Sequence, residues 1–127
     1  MASTLSGIRV LDLTRILAGP WATQMLADLG AEVIKIEKPG EGDDTRHLGP
    51  PFIHDARTGA QADAAYFLVA NRAKESVAID ISTAAGQDLI IALAGQCDVL
   101  VENYKVGGLK KYGLDYDSLN KINPRLV

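Results

Sequence analysis

Ile8-Arg9-Val10-Leu11-Asp12-Leu13, then Gly19-Pro20, then Gly30, then Val33-Ile34-Lys35-Ile36: this succession decides the fold. The first apolar run has the length and composition of a strand. Pro20 fits the first position of a helix, where its missing N–H is not needed. Trp21, Met25, Leu26 and Leu29 then fall on one helical face. Gly30 suits a left-handed helix stop, and Val33 to Ile36 reads as a second strand. A strand–helix–strand unit of roughly 30 residues is the size of a βαβ crossover.

Reading outward, Pro39 to Asp63 lacks either periodicity and is rich in Gly, Pro and Asp. It is read as a long loop, functional or mobile. Ala64 to Ala70 reads as a short helix and Ser76 to Ile81 as an alternating strand. Ser82 or Thr83 can cap the next helix, whose apolar stripe is Leu89, Ile90, Leu93 and Ala94. Asp98 to Val101 is a further strand, and Asp115 or Asp117 starts a last helix carrying Leu119 and Ile122. Leu126-Val127 reads as the first step of another strand. Strands alternating with helices predict an α/β fold, a Rossmann-like parallel sheet with helices on both faces. Residues 1–127 are read as one unit without linker or internal repeat. Ending on entry into a strand, they read as a truncated part of a longer chain.

With 47% hydrophobic and 23% charged residues, the chain has the composition of a globular domain. A net charge of −3 gives no electrostatic reason to expect nucleic acid or an anionic membrane. Cys97, the one cysteine, reads as a small buried hydrophobe and fits a reducing compartment, the cytoplasm first, with mitochondrion or peroxisome compatible. Met1-Ala2-Ser3-Thr4 has no signal-peptide character, and no apolar run approaches the ~20 residues of a membrane span. His47 and His54, without a nearby cysteine, read as loop histidines rather than metal ligands. There is no Gly-x-Gly-x-x-Gly, no phosphate-binding Gly-Lys-Ser/Thr loop, and no nucleophile–histidine arrangement that stands out.

Open α/β sheets bind ligands beyond the carboxyl ends of their strands. Four segments are expected to meet there: Arg15 to Pro20, Glu37-Lys38, Asn71 to Lys74, and Asn103-Tyr104. The helix start at Gly19-Pro20 offers free N–H groups to a carboxylate or thioester oxygen. Lys38, Arg46, Arg72, Lys74, Lys105 and Lys111 supply cations for phosphates, although any one of them taken alone reads first as a solvated surface charge. Asn103 fits a turn as well as a ligand contact, and Asp43, Asp44 and Arg46 fit a hydrogen-bonded loop cluster. The residues alone reach an α/β nucleotide-like domain with an anion site.

A resemblance takes the reading further. Leu5 to Arg15, Leu17-Ala18-Gly19-Pro20, Leu26 to Glu37, Pro39-Gly40, Asn71-Arg72-Ala73-Lys74-Glu75-Ser76 and Asp98 to Tyr104 follow in one order and spacing. In that order they resemble the start of a family III CoA-transferase, a family of CoA-transferases and 2-methylacyl-CoA racemases. The loop Gly42 to Arg46 with Gly49-Pro50-Pro51-Phe52 looks most like the succinyl-CoA/glutarate type. The resemblance implies the N-terminal, CoA-binding part of a larger interlocked homodimer. It implies acyl-CoA and a small, dicarboxylic acid as partners, with coenzyme A as substrate and no permanently bound cofactor or metal.

By that resemblance the 3′-phosphate-ADP of CoA meets Lys38, Lys74 and Lys111, with Arg72 and Ala73 beside the adenine. Asn103-Tyr104 lies along the pantetheine and Leu17-Ala18 near the thioester. Lys38 and Lys111 stand where the family often has arginine, keeping charge but losing the bidentate fork. The family's aspartate nucleophile matches none of the aspartates here, so no catalytic residue is expected in this chain, and transferase activity is not expected of it alone. A racemase of the same family and a non-catalytic CoA- or nucleotide-binding module are the rival readings.

Overall fold

The computed structural model describes residues 3–127; Met1 and Ala2, which belong to the signal-peptide reading, lie outside them. The described residues form a four-stranded parallel sheet and a separate two-stranded hairpin. Strand β1 (Arg9–Asp12) leads through helix α1 (Ala18–Asp28) into β2 (Glu32–Glu37). The hairpin β3 (Phe52–His54) and β4 (Gln61–Ala64) follows, then α2 (Ala65–Asn71) and β5 (Glu75–Ala78). Helix α3 (Ala84–Ala94), β6 (Val99–Val101) and the short α4 (Tyr116–Leu119) complete the chain. The sheet order is β5-β2-β1-β6. The chain therefore builds outward on one side of β1 and then crosses to the other, making β1/β6 the topological switch point. Val127 bonds along the outer edge of β6, its N–H to Asp98 O and its C=O from Leu100 N–H, so the final residues run as the sequence reading has them.

Period-2 alternation gives the two faces different chemistry. One face carries Leu11, Leu13, Ile34, Ile36 and Ile79, packed on Ile90 and Ala94 of α3 and on Leu109, Leu114 and Leu119. The other carries Val10 and Val33 against Ala27 and Ala31. On this second face, Asp12, Lys35 and Glu37 are 0, 1 and 5% exposed. Helices thus cover both faces, but under α1 part of the core is ionic.

That ionic layer sets which face of α1 is buried. Residues of α1 buried against the sheet and α2 are Pro20, Thr23, Gln24 and Ala27, while Trp21, Met25 and Leu29 are 46, 55 and 48% exposed. Thr23 Oγ1 donates to Asp12 (2.6 Å), and Gln24 ties α1 to α2 by donating to Val69 O and accepting from Arg72 N–H. A buried carboxylate needs donors, so polar Thr23 faces inward; of the apolar stripe only Leu26 packs against the core, and Trp21, Met25 and Leu29 face out. Helix and sheet also approach closely here: a Cβ on Gly19 would lie 2.4 Å from Thr14 Cβ.

The expected stops hold. Gly30 sits at φ +99°, with Ala31 N–H returning to Leu26 O at 3.0 Å. Thr83 caps α3 by accepting from Gly86 N–H. The long loop between Pro39 and Asp63 is more structured than expected. It contains a 3₁₀ turn at Asp44–His47 and the β3–β4 hairpin, turned by Asp55, whose Oδ1 accepts from Arg57, Thr58 and the Thr58 hydroxyl. Strands this short leave little periodicity to read. No helix among the described residues is long and apolar enough to cross a membrane.

Candidate binding cleft at the carboxyl edge of the sheet

The strands β1, β2 and β5 and the segment after β6 all open onto one cleft of about 330 Å³. Its walls are Leu13 and Arg15 after β1, Ile36 to Lys38 at the end of β2, Ile79 to Ser82 after β5, and Tyr104 after β6. The loop from Glu41 to Asp44 forms its remaining side. The volume is at the small end of ligand sites and fits part of a nucleotide-sized molecule.

Two cations stand on the rim. The Lys38 ammonium bonds Glu41 at 2.7 Å, both side chains about two-thirds exposed. Arg15 Nη2 bonds Asp44 Oδ2 at 2.5 Å, the two side chains 54 and 46% exposed. Exposed pairs are worth about 0–1 kcal/mol, so either cation can turn to an incoming phosphate at small cost. Across the cleft, Ser82 N–H and hydroxyl hold Asp80 below the usual carboxylate range. Tyr104 is half-buried, and burial raises its phenol against the opposing charge of Arg15.

Behind the rim, a buried polar network fixes the loop leaving β1. The Lys35 ammonium donates to Thr14 O and Asp43 Oδ2, each at 2.9 Å, with both members of the ion pair 1% exposed. Asp43 also accepts from Thr45 N–H (2.9 Å), Thr45 Oγ1 (2.7 Å) and Ile16 N–H (3.3 Å). Burial opposes ionisation of Asp43, but Lys35 and Thr45 outweigh it and its pKa is lowered. Asp43 N–H donates in turn to Glu37, which also accepts from Arg46 Nε and Nη2 and from Ser76 Oγ. Burial again opposes, yet these donors bring Glu37 down from 4.5 to about 2. Arg46 further pairs with Asp63 and lies over the Phe67 ring at 3.6 Å. Among the described residues no buried side-chain polar atom lacks a partner.

The network holds Ile16 at φ +69°, a conformation unusual for a β-branched residue. Asn103 completes the clamp across the switch point: its Oδ1 accepts from Arg15 N–H (2.9 Å) and its Nδ2 donates to Arg15 O (2.8 Å). The N–H groups of Leu17, Ala18 and Gly19, at the start of α1, have no acceptor among the described residues. These are the orphan donors of a helix start.

Of the sequence-derived residues, Lys38 and Tyr104 line the cleft. Asn103 clamps the loop beside it, and Leu17 and Ala18 open α1 a few residues on. Lys111 is exposed, its ammonium 4.6 Å from the Tyr112 ring, and does not line the cleft. The segment Asn71 to Lys74 is a correction to the expected meeting of four loops, because it enters β5 instead of leaving it. Arg72 lies against the far end of α1, paired with Asp28, and Ala73 is exposed beside it at φ +60°. Lys74 is enclosed: its ammonium donates to Asp12 Oδ2, Pro20 O and Asn71 Oδ1 at 2.8–3.0 Å. Burial lowers its pKa against the pull of Asp12. The segment that does leave β5, Asp80 to Ser82, was not singled out from sequence; the signal was available, since in a parallel sheet only a strand's exit reaches this edge. His47 and His54 are exposed, and His47 Nε2 is 3.0 Å from Glu41 O.

The sequence profile of CoA-transferase family III matches residues 5–127. The chain belongs to that family. It is 54% identical over 123 residues to the succinate–glutarate CoA-transferase of Agrobacterium fabrum, covering 97% of this chain and 30% of that protein. It is 41% identical over 127 residues to the formyl-CoA:oxalate CoA-transferase of Afipia carboxidovorans, covering all of this chain and 28% of that protein. A crystal structure of a CaiB/BaiF family protein from Brucella suis superposes with a TM-score of 0.92 at 53% identity, over the whole of this chain and 32% of that one. The chain therefore spans about 30% of the length of the curated relatives it matches, as their N-terminal region.

Proposed function

We propose that this chain is the coenzyme A-binding part of a CoA-transferase that moves CoA between an acyl-CoA and a dicarboxylic acid. The observation that carries the reading is the cleft at the carboxyl edge, with a rim cation at the end of β2 and the Asn103-Tyr104 segment opposite it. Lys38 meets the 3′-phosphate of the nucleotide, and the pantetheine runs along Tyr104 toward the start of α1. There the free N–H groups of Leu17, Ala18 and Gly19 face the thioester oxygen and the oxyanion that develops on it. Coenzyme A enters as substrate rather than resident cofactor. The named activity of the Agrobacterium relative supports a dicarboxylic acceptor.

The reaction of the whole protein proceeds through an aspartate nucleophile. Its carboxylate attacks the acyl-CoA thioester carbonyl, forming a mixed anhydride and expelling CoA thiolate. The thiolate attacks the aspartyl carbonyl, releasing the donor acid and leaving an aspartyl-CoA thioester. The acceptor carboxylate attacks that thioester, and the thiolate returns to the acceptor's carbonyl to give the new acyl-CoA and free aspartate. By the family resemblance none of the aspartates here matches that nucleophile, and Asp12 and Asp43 are in addition enclosed by donors. On this reading the 127 residues alone catalyse no exchange. The whole protein works as a homodimer in the cytoplasm, and the exposed Trp21, Met25 and Leu29 support burial of that face in an assembly.

Isothermal titration with CoA and dephospho-CoA tests the site: CoA binds more tightly, and Lys38→Ala abolishes the difference. Equal affinities for the two ligands in the parent protein refute the phosphate assignment. Labelled CoA exchanging into acyl-CoA on the 127-residue chain refutes the external nucleophile.

A further inference from the structure

The cleft contains a second rim cation that the CoA reading leaves unused. Arg15 stands on the β1/β6 wall beside Tyr104, opposite the β2 wall that carries Lys38. Its backbone is pinned on both sides, by Asn103 at its N–H and C=O and by Asp43 at the N–H of Ile16. Its side chain is not: 54% is exposed, and Asp44 Oδ2 is the one acceptor on the guanidinium, at Nη2. Nε and Nη1 have no protein partner among the described residues. A fixed base with a half-free planar fork suits an anion with several oxygens, which a guanidinium grips with parallel N–H bonds.

The rim's acids have the complementary form. Asp44 and Glu41 belong to one loop, and each satisfies one rim cation through an exposed pair. They occupy the positions that phosphate oxygens take when a ligand enters. The inference rests on the reading of the cleft as the CoA site, in which Lys38 marks the 3′-phosphate end and Tyr104 the pantetheine. The group between those ends is the diphosphate, and Arg15 stands next to Tyr104.

We propose that Arg15 binds the diphosphate of coenzyme A and that Asp44 is its internal counter-ion, displaced when the diphosphate arrives. Atoms and charge balance without any bond being made or broken: one guanidinium exchanges a carboxylate for a phosphate oxygen. Asp44 then lowers affinity for CoA, because its pair with the guanidinium must be broken for the diphosphate to bind.

The test is calorimetric titration of the intact protein with CoA, dephospho-CoA and pantetheine. Arg15→Met raises Kd about tenfold for CoA and dephospho-CoA alike, the worth of a charged hydrogen-bonded contact at a half-exposed site. It leaves pantetheine binding unchanged, because that ligand lacks the diphosphate. Asp44→Asn tightens CoA about twofold to fivefold, the worth of an exposed ion pair, and has no effect on CoA in the Arg15→Met background. Equal weakening of pantetheine by Arg15→Met, unchanged CoA affinity, or weaker CoA binding in Asp44→Asn each overturns the proposal while the cleft reading stands. Failure of the parent protein to bind CoA at all overturns both. Half-exposed Arg15 and Asp44 are not needed for folding, and unchanged melting temperatures of the variants confirm that the affinities are compared on the same fold.

Discussion

Asp43→Asn is the perturbation that tests the buried network most sharply. The substitution preserves shape and removes one charge. With the amide nitrogen turned toward it, Lys35, 1% exposed, keeps its ammonium with Thr14 O as its sole hydrogen-bond acceptor, and in the other orientation the donors of Thr45 lose theirs. A buried pair broken from one side costs about 3–5 kcal/mol, because the surviving charge is uncompensated. The amide cannot replace the carboxylate, since its oxygen faces either Lys35 or the donors of Thr45 and its NH₂ meets donors on the other side. An unsatisfied buried donor is worth about 1–3 kcal/mol, which places the total toward the upper end of the first range. Lys35→Met leaves Asp43 with Thr45 N–H, Thr45 Oγ1 and Ile16 N–H, so its cost is smaller, about 2–3 kcal/mol.

The double variant Lys35→Met/Asp43→Asn removes both charges. Its loss falls below the sum of the single losses by about 2 kcal/mol, the coupling of groups in direct contact. Equilibrium urea unfolding of the four proteins, followed by circular dichroism, measures the cycle, and amide hydrogen exchange at Ile16 and Thr45 locates it. Both amides lose protection in Asp43→Asn because both donate to that carboxylate. Relaxation of Ile16 from φ +69° also weakens CoA binding, and Ile16→Gly, which adopts that φ freely, recovers part of it. Losses that add to within about 0.5 kcal/mol, or unchanged protection at Ile16, refute the reasoning.

Glu37 makes stability depend on acid: its folded pKa of about 2 lies below the ordinary 4.5, so its contribution is whole above pH 4.5 and fades as pH falls toward 2. The difference is about 3 kcal/mol, and urea midpoints from pH 7 to pH 3 show it as a slope that Glu37→Gln flattens; an unchanged slope in that variant refutes the assignment. Gly86→Ala costs about 3 kcal/mol or more, because the new Cβ would lie 1.9 Å from the backbone oxygen of Asp80, and a melting temperature equal to the parent's contradicts that contact. Asn103→Ala changes stability by less than about 1 kcal/mol, its two bonds to Arg15 being exposed, yet raises the Kd for CoA severalfold by freeing the loop after β1; titration beside a thermal melt separates the two effects.

Local rules made the frame of this fold legible. Gly30 at positive φ and Thr83 as a cap are conditions that one residue imposes on its neighbours, and the structure meets them; Pro20 falls in the first turn rather than at the first position, because α1 starts two residues earlier, at Ala18. The ionic layer was not legible, because its partners are remote: Lys74 reaches Asp12 across 62 positions and Asn103 reaches Arg15 across 88. Within β2, Lys35 and Glu37 alternate with Ile34 and Ile36 as in a strand with one wet face, and only tertiary partners show that this face is dry. The same hidden layer decides the inward face of α1, since a helix over a buried carboxylate must present a donor such as Thr23 to it.

Lys74 has its acid 62 positions away in sequence, and the exit of β5, Asp80 to Ser82, carries no cation to mark it. The charges around the cleft divide by burial. Lys35, Lys74 and most of Arg46 are enclosed with their acids and hold the loop after β1 in a strained shape, while Lys38 and Arg15 have exposed acids that can be displaced. On the proposed reading, the buried pairs keep the walls in place while the exposed acids on the rim give way to phosphates. Substitutions in the first group should therefore change stability and affinity together, and substitutions in the second should change affinity alone.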